Sequence, residues 1–207
     1  MKKITYSQFF SKHDRKILPI IRKATVGIAG AGGLGSNIAF SLVRAGIGKL
    51  IISDFDKIEP SNLNRQQYFI EQIGMPKVKA LRDNLRMINP FSACEIHEIK
   101  LNEENIPIIY KNVDIMVEAF DKAEMKQMLI ESWLIRFPEI PLIVASGLAG
   151  FGDNEKIRTK NLGNLFVIGD ETAELDDEIS PMAPKVGIVA NMQANLVLEL
   201  LIKNSKR

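Results

Sequence analysis

Gly30-Ala-Gly-Gly-Leu-Gly-Ser36, entered by the apolar residues Val26, Ile28 and Ala29, is the stretch whose reading decides the fold. G-x-G-x-x-G alone marks many dinucleotide sites and also tight turns that bind nothing, so its neighbours carry the argument. The apolar run reads as a buried strand, and Leu34, Ile38, Leu42 and Val43 follow at helical spacing. A second apolar segment, Leu50-Ile-Ile52, leads to Asp54, nineteen residues after Gly35. This is a βαβ unit. Its glycines let a nucleotide approach the backbone at a helix N-terminus, and Asp54 is placed to bind a ribose hydroxyl. Ser61-Asn-Leu-Asn-Arg-Gln66 is not required by a dinucleotide fold, and it puts an arginine and several amides beside the same crevice.

Outward from this unit, residues 1–24 are amphipathic and helical in tendency, with Pro19 favouring a helix start or kink. Residues 55–74 form a polar connection. Pro76 opens a helix with the stripe Val78, Leu81, Leu85 and Ile88, ended by Asn89-Pro90. Strands are predicted over 92–99, 113–117, 142–145 and 165–168, with a helix through Trp133 and Phe137 and a long apolar helix over 186–203. Asp170 to Glu178 reads as a solvated acidic loop. Alternating strands and helices imply one α/β domain with a largely parallel sheet. Its parts are a helical N-terminal segment (1–24), the glycine-loop and nucleotide motifs (25–90), and the remaining sheet with the C-terminal helix (91–207).

At 207 residues, 46% hydrophobic and 25% charged, the composition is that of a soluble globular protein with one core. A net charge of +2 gives no general case for nucleic acid or membrane. No run reaches the ~18–20 consecutive apolar residues of a membrane span, and the N-terminus lacks a secretory hydrophobic stretch. The expected compartment is the cytoplasm. One cysteine excludes an internal disulfide and a cysteine-based zinc site. That residue, Cys94, lies in an alternating, strand-like segment and reads as a small packing residue.

Several residues admit two readings from position alone. Lys77 falls in the first turn of a helix, where the macrodipole disfavours a cation by ~0.3–1 kcal/mol unless an anion such as phosphate is bound; a solvated surface lysine is the alternative. Asp121 follows a strand at the edge where open α/β sheets bind ligands, and an N-cap would explain it as well. Gly147, Gly150 and Gly152 either let an extended peptide pass near the backbone or simply make a turn. His13 and His97 have no partner at metal-ligand spacing.

The run from Val26 to Pro90 resembles the nucleotide-binding half of the ThiF/MoeB adenylyltransferases, relatives of ubiquitin-activating enzymes. The likeness rests on 30–36, Ala45-Gly-Ile-Gly-Lys-Leu50, Asp54-Phe-Asp56, 61–66, Ile73-Gly-Met-Pro-Lys-Val78 and Ile88-Asn-Pro90. It returns in Phe120-Asp121, in 146–152 and at Val186-Gly-Ile-Val189, and Gln66-Gln-Tyr-Phe69 is similar to the short ThiF form of thiamine synthesis. The resemblance implies a Rossmann-like three-layer α/β fold. It also implies an enzyme that uses ATP and Mg²⁺ to adenylate the C-terminal Gly-Gly carboxylate of a small ubiquitin-like sulfur carrier.

By the same resemblance, Gly30, Gly32, Gly33, Leu34, Gly35, Ser36 and Asp54 hold the nucleotide. Arg65 and Lys77 act on its phosphates, Asn62 and Gln66 hold nucleotide or loop, and Asp121 helps to hold Mg²⁺. Asp56 is expected to support the loop, and Lys79 lies outside the motif. Relatives complete the site across a homodimer with an N-terminal arginine, for which Arg15 is the nearest match and Arg22 the fallback. Many relatives also carry a zinc held by cysteines and a covalently reactive cysteine. Both are missing from this sequence, so sulfur is expected from an external donor. A nicotinamide-dependent oxidoreductase would use the same glycines and Asp54 but leaves Arg65 and Lys77 unexplained, and a non-catalytic scaffold needs neither cation. A molybdopterin-pathway activator and a tRNA-base dehydratase share the adenylation step.

Overall fold

In the computed structural model, which describes residues 4–170 and 180–205, strand β1 (Thr25–Ala29) has parallel neighbours on both sides. Strands β2 (Lys49–Ser53) and β3 (Ala93–His97) extend the sheet one way. Strands β4 (Ile115–Glu118), β5 (Leu142–Ser146), β6 (Arg158–Leu162) and β7 (Leu165–Gly169) extend it the other. The order is β3-β2-β1-β4-β5-β7-β6, parallel except for the β6–β7 hairpin. Strand order reverses between β1 and β4, so a crevice opens at their carboxyl ends. The sequence reading did not find β6, whose residues are all exposed and lack the alternation that marks a half-buried strand.

Alternation along the central strands feeds two cores. Val26, Ile28, Leu50, Ile52, Ile115 and Val117 face one, where α3 (Gly33–Ala45), α4 (Lys77–Ile88) and α7 (Ala183–Asn204) pack. Ala29, Ile51, Met116 and Leu142 face the other, under α6 (Ala123–Arg136) and the short helix α5 (Ile106–Ile109). Both faces are covered, which is why these strands read as nearly continuous apolar runs. Two short helices, α1 (Tyr6–Phe9) and α2 (Leu18–Ile21), make up the N-terminal segment, with Pro19 in the first turn of α2. By length and composition α7 could cross a membrane, but 56% of that stretch is buried inside the fold, as in a core helix.

One part of the sequence reading changes, at Asp170. Residues 171–179 of the expected acidic loop lie outside the described residues, and Asp170 is not solvated: its buried carboxylate accepts a 2.7 Å bond from Lys185 Nζ. Elsewhere a fully buried carboxylate, Glu118, ends β4 and pairs with Lys126. Burial pushes its pKa up, and Lys126 with the amides of Phe120 and Ala145 opposes the shift.

The glycine turn packs backbone directly against backbone. Gly30 has φ +104°, and a Cβ at Gly35 would lie 1.9 Å from the Gly30 carbonyl oxygen. Gly35→Ala should therefore cost at least ~1–3 kcal/mol, the range for overpacking, and urea unfolding will show it as a lower midpoint. An unchanged midpoint would mean that α3 can move off β1 freely. Glu118 gives a pH-dependent expectation. Its native carboxyl keeps a proton to higher pH than the unfolded one, so native stability falls as pH rises through that window. The stability of wild type relative to Glu118→Gln should accordingly shrink as pH rises above the ordinary glutamate range, near about 4.3, in denaturant titrations. A difference that grows with pH would reverse the sign.

Candidate functional site

Helix α3 starts on Gly32 with no side-chain cap. Ser36 N–H bonds the Gly32 carbonyl, which leaves the amides of Gly33, Leu34 and Gly35 as the unpaired first turn. Such a turn favours an anion. The loop before it is held at both polar groups of Ala31: its N–H donates to Asp54 Oδ2 at 2.7 Å, and its carbonyl accepts the Tyr68 hydroxyl at 2.6 Å. Asp54 Oδ1 takes the Asp56 amide at 2.8 Å. Burial raises the Asp54 pKa, against the pull of those two amides and Lys77. Each carboxylate oxygen keeps a lone pair for a further donor such as a ribose hydroxyl.

The 61–68 segment is sewn onto the same turn. Ser36 is fully buried, and its hydroxyl donates to Gly32 O at 2.7 Å and accepts Gln67 N–H at 3.1 Å. Its side chain therefore serves the turn, and the Leu34 side chain is buried in the core. Asn37 Nδ2 donates to Gly33 O and Arg65 O, and Asn37 Oδ1 accepts Gln67 Nε2. Asn62 is buried and holds the loop: its Oδ1 accepts Glu59 N–H, and its carbonyl accepts the amides of Arg65 and Gln66. Gln66 is also buried, and its Oε1 has no hydrogen-bond partner among the described residues.

Arg65 makes no ion pair among the described residues. Its Nη1 reaches only Asn64 Oδ1 at 2.7 Å and Ser61 O at 3.3 Å, and its aliphatic stem lies against Gly33. Lys77 is not a solvated surface residue. It is 7% exposed at the head of α4, with Nζ 2.9 Å from Asp56 Oδ2 and its amide 2.9 Å from Asp56 O. Asp56 thus positions Lys77, a contact the sequence could not reveal because α4 returns to it across twenty residues. Lys79 pairs with Glu98 on the surface, as expected of a residue outside the motif.

The turn after β4 rests on the glycines. Ala119 N–H continues the ladder to Ala29 O at 2.8 Å, and a Cβ on Gly30 would lie 2.6 Å from Ala119 O. Asp121 follows, exposed and without a hydrogen bond or ion pair among the described residues. It does not cap α6, whose N-cap is Lys122 with no side-chain bond.

In the N-terminal segment, Arg15 is exposed and makes no hydrogen bond or ion pair among the described residues. Arg22, the fallback, is committed elsewhere: its guanidinium donates to Ile47 O and Phe91 O and lies against the Tyr6 and Phe10 rings. His13 bonds the Arg44 carbonyl at the end of α3, and His97 bonds Glu95. Cys94 sits half-buried on edge strand β3, where burial raises its thiol to about 11. Such a thiol is protonated at neutral pH and a poor nucleophile. Gly147, Gly150 and Gly152 all have positive φ, and Gly150 pairs with the chain's own Ser180-Pro181, so they build a turn against this protein's own backbone. Sequence reasoning missed the supporting roles of Asn37, Gln67, Tyr68, Glu118 and Lys126, because each acts through a partner distant in the chain.

Curated relatives share much of this chain. It is 31% identical over 193 residues to the molybdopterin-synthase adenylyltransferase of Haemophilus influenzae, covering 86% of this chain and 75% of that protein. It is 39% identical over 111 residues to ubiquitin-like modifier-activating enzyme 5 of Caenorhabditis briggsae, covering 54% of this chain and 24% of that protein. The chain spans 47% or less of the first three curated relatives it matches. In fold it matches the E. coli tRNA N6-threonylcarbamoyladenosine dehydratase TcdA, solved with AMP, with a TM-score of 0.87 over 100% of both chains at 18% identity. The ThiF family profile matches residues 6–207, nearly the whole of this chain, and the chain belongs to the ThiF family.

Proposed function

We propose that this protein transfers the adenylyl group of ATP to the C-terminal carboxylate of a small ubiquitin-like sulfur carrier, releasing pyrophosphate, in the service of thiamine thiazole synthesis. The observation that carries the reading is Lys77, a buried ammonium at the head of α4, tied to Asp56 two residues from Asp54. A nicotinamide site has no need of that cation. The names of relatives support the reaction class: a sulfur carrier protein adenylyltransferase of Thermus thermophilus is 35% identical over 118 residues, covering 53% of this chain and 44% of that protein. TcdA has also been solved with ATP.

The chemistry matches this inventory. A C-terminal carboxylate has a pKa of roughly 3.3–3.7 and is already a nucleophile at neutral pH, so no general base is required. Its oxygen forms a bond to the α-phosphorus while the bond from that phosphorus to the pyrophosphate oxygen breaks. The obstacle is repulsion between two anions, which positioned cations and amides relieve. The first turn of α3 offers backbone donors, Arg65 and Lys77 offer charge, and Asp54 offers acceptors to the ribose. Asp121, exposed after the end of β4 and unpaired among the described residues, suits Mg²⁺, which prefers carboxylate and phosphate oxygens. Bound there, the ion would neutralise phosphate charge. The protonated Cys94 thiol supports an external sulfur donor. Arg15, without a hydrogen bond or ion pair among the described residues, is the residue proposed to enter the partner's site in a homodimer.

Lys77→Ala and Arg65→Ala should each lower carrier-dependent pyrophosphate exchange by ~10²–10³-fold in folded protein, the usual cost of one preorganised charge contact. Calorimetry should show ATP binding and no NAD binding, and the opposite preference would end the adenylation reading. Exchange that ignores carrier proteins and responds to tRNA would instead move the acceptor to a modified base. For the shared site, mixing inactive Arg15→Ala with inactive Lys77→Ala protein should restore activity, since a mixed dimer keeps one intact composite site. A mixture that stays inactive despite proven subunit exchange would remove Arg15 from the mechanism.

A further inference from the structure

Glu118 and Lys126 flank the turn that carries Asp121. Glu118 ends β4, and Lys126 stands in the first turn of α6, where its N–H bonds the Lys122 carbonyl. Their ion pair closes a short loop around residues 119–125. Inside that loop Glu118 Oε1 accepts the Phe120 amide at 2.7 Å, one residue before Asp121. The pair is also anchored from β5: Lys126 Nζ donates to Ala145 O at 2.8 Å, and the Ala145 amide approaches Glu118 Oε2 at 3.4 Å. From α7, Gln193 Nε2 donates to the Glu118 carbonyl at 3.3 Å. On its open side the turn abuts Gly30 through Ala119 O. It is thus held at its entry, at its exit and from beneath, while the Asp121 carboxylate makes no hydrogen bond or ion pair among the described residues.

Stability is a weak reason for such an arrangement. Burying a carboxylate costs several kcal/mol, and attraction to a partner often only offsets it. A neutral acceptor would satisfy the Phe120 amide. What an ion pair adds is a fixed distance between the end of β4 and the start of α6. We propose that Glu118 and Lys126 form a positioning clamp that sets the Asp121 carboxylate at the mouth of the glycine crevice; this rests on the reading of Asp121 as the Mg²⁺ carboxylate.

The test is calorimetry of ATP binding to the full chain, in EDTA and across a Mg²⁺ titration, with circular dichroism to confirm folding. Asp121→Asn should abolish the Mg²⁺-dependent part of binding. Glu118→Ala and Lys126→Met should shift the Mg²⁺ midpoint upward by roughly tenfold or more, as loss of a ligand-orienting partner does. Both should leave ATP affinity in EDTA at the wild-type level. Lys126→Arg, which keeps the pair, should keep the wild-type midpoint. Hydrogen exchange at the Phe120 amide should accelerate in Glu118→Ala, a readout independent of metal and activity. Folded Lys126→Met with a wild-type Mg²⁺ midpoint overturns the clamp, and if Asp121→Asn has lost its Mg²⁺ response the reading of Asp121 survives. A wild-type Mg²⁺ response in Asp121→Asn sinks that reading and the clamp with it. Should Glu118→Ala fail to fold, the two Lys126 variants decide.

Discussion

The carbonyl oxygen of Gly30 occupies the place where a side chain at position 35 would have to be. This contact lets the first turn of α3 descend onto the end of β1, and the rest of the site is built around the resulting bend. With α3 this close, its unpaired amides face the crevice at the β1–β4 reversal. Ala119 can then rest on Gly30 from the other side. A side chain at Gly35 would push α3 off the end of β1, and one at Gly30 would push away the turn that follows β4.

The second constraint is polar. Three stretches, at 30–37, 54–56 and 61–68, are joined by hydrogen bonds through Asp54, Ser36, Asn37, Gln67 and Tyr68, beside the apolar packing of Ala31, Leu34 and Tyr68. Many of these bonds are wholly or partly buried, so each lost partner strands a polar group and costs ~1–3 kcal/mol. The loop is thereby fixed in shape without regular secondary structure. Among the described residues Arg65 has no acidic partner on that rigid support, and Lys77 is held by one carboxylate. Charges arranged in this way meet an anion without first breaking strong internal pairs.

Two ion pairs with buried carboxylates lie at the carboxyl edge of the sheet rather than in the middle of the two apolar cores. Glu118–Lys126 and Asp170–Lys185 both tie the carboxyl edge of the sheet to the start of a helix. Hydrophobic contacts are non-directional and fix such junctions loosely. Ion pairs fix them at a set distance, at a cost in stability that the large cores on either face can bear.

The sequence by itself determined the βαβ unit, the largely parallel sheet and the crevice residues that share one local motif. Those features follow from periodicity and from glycine stereochemistry, which act between near neighbours in the chain. It could not determine that Lys77 is buried against Asp56, that Arg22 is spent on the carbonyls of Ile47 and Phe91, or that Asp121 leaves the cap of α6 unmade. Nor could it reveal β6, an exposed edge strand whose polar side chains carry no alternating signal. These depend on which groups meet after the chain has closed, because burial and hydrogen bonding between residues tens of positions apart exist only in the tertiary structure. Local chemistry named the candidates, and long-range packing decided which of their charges were left free.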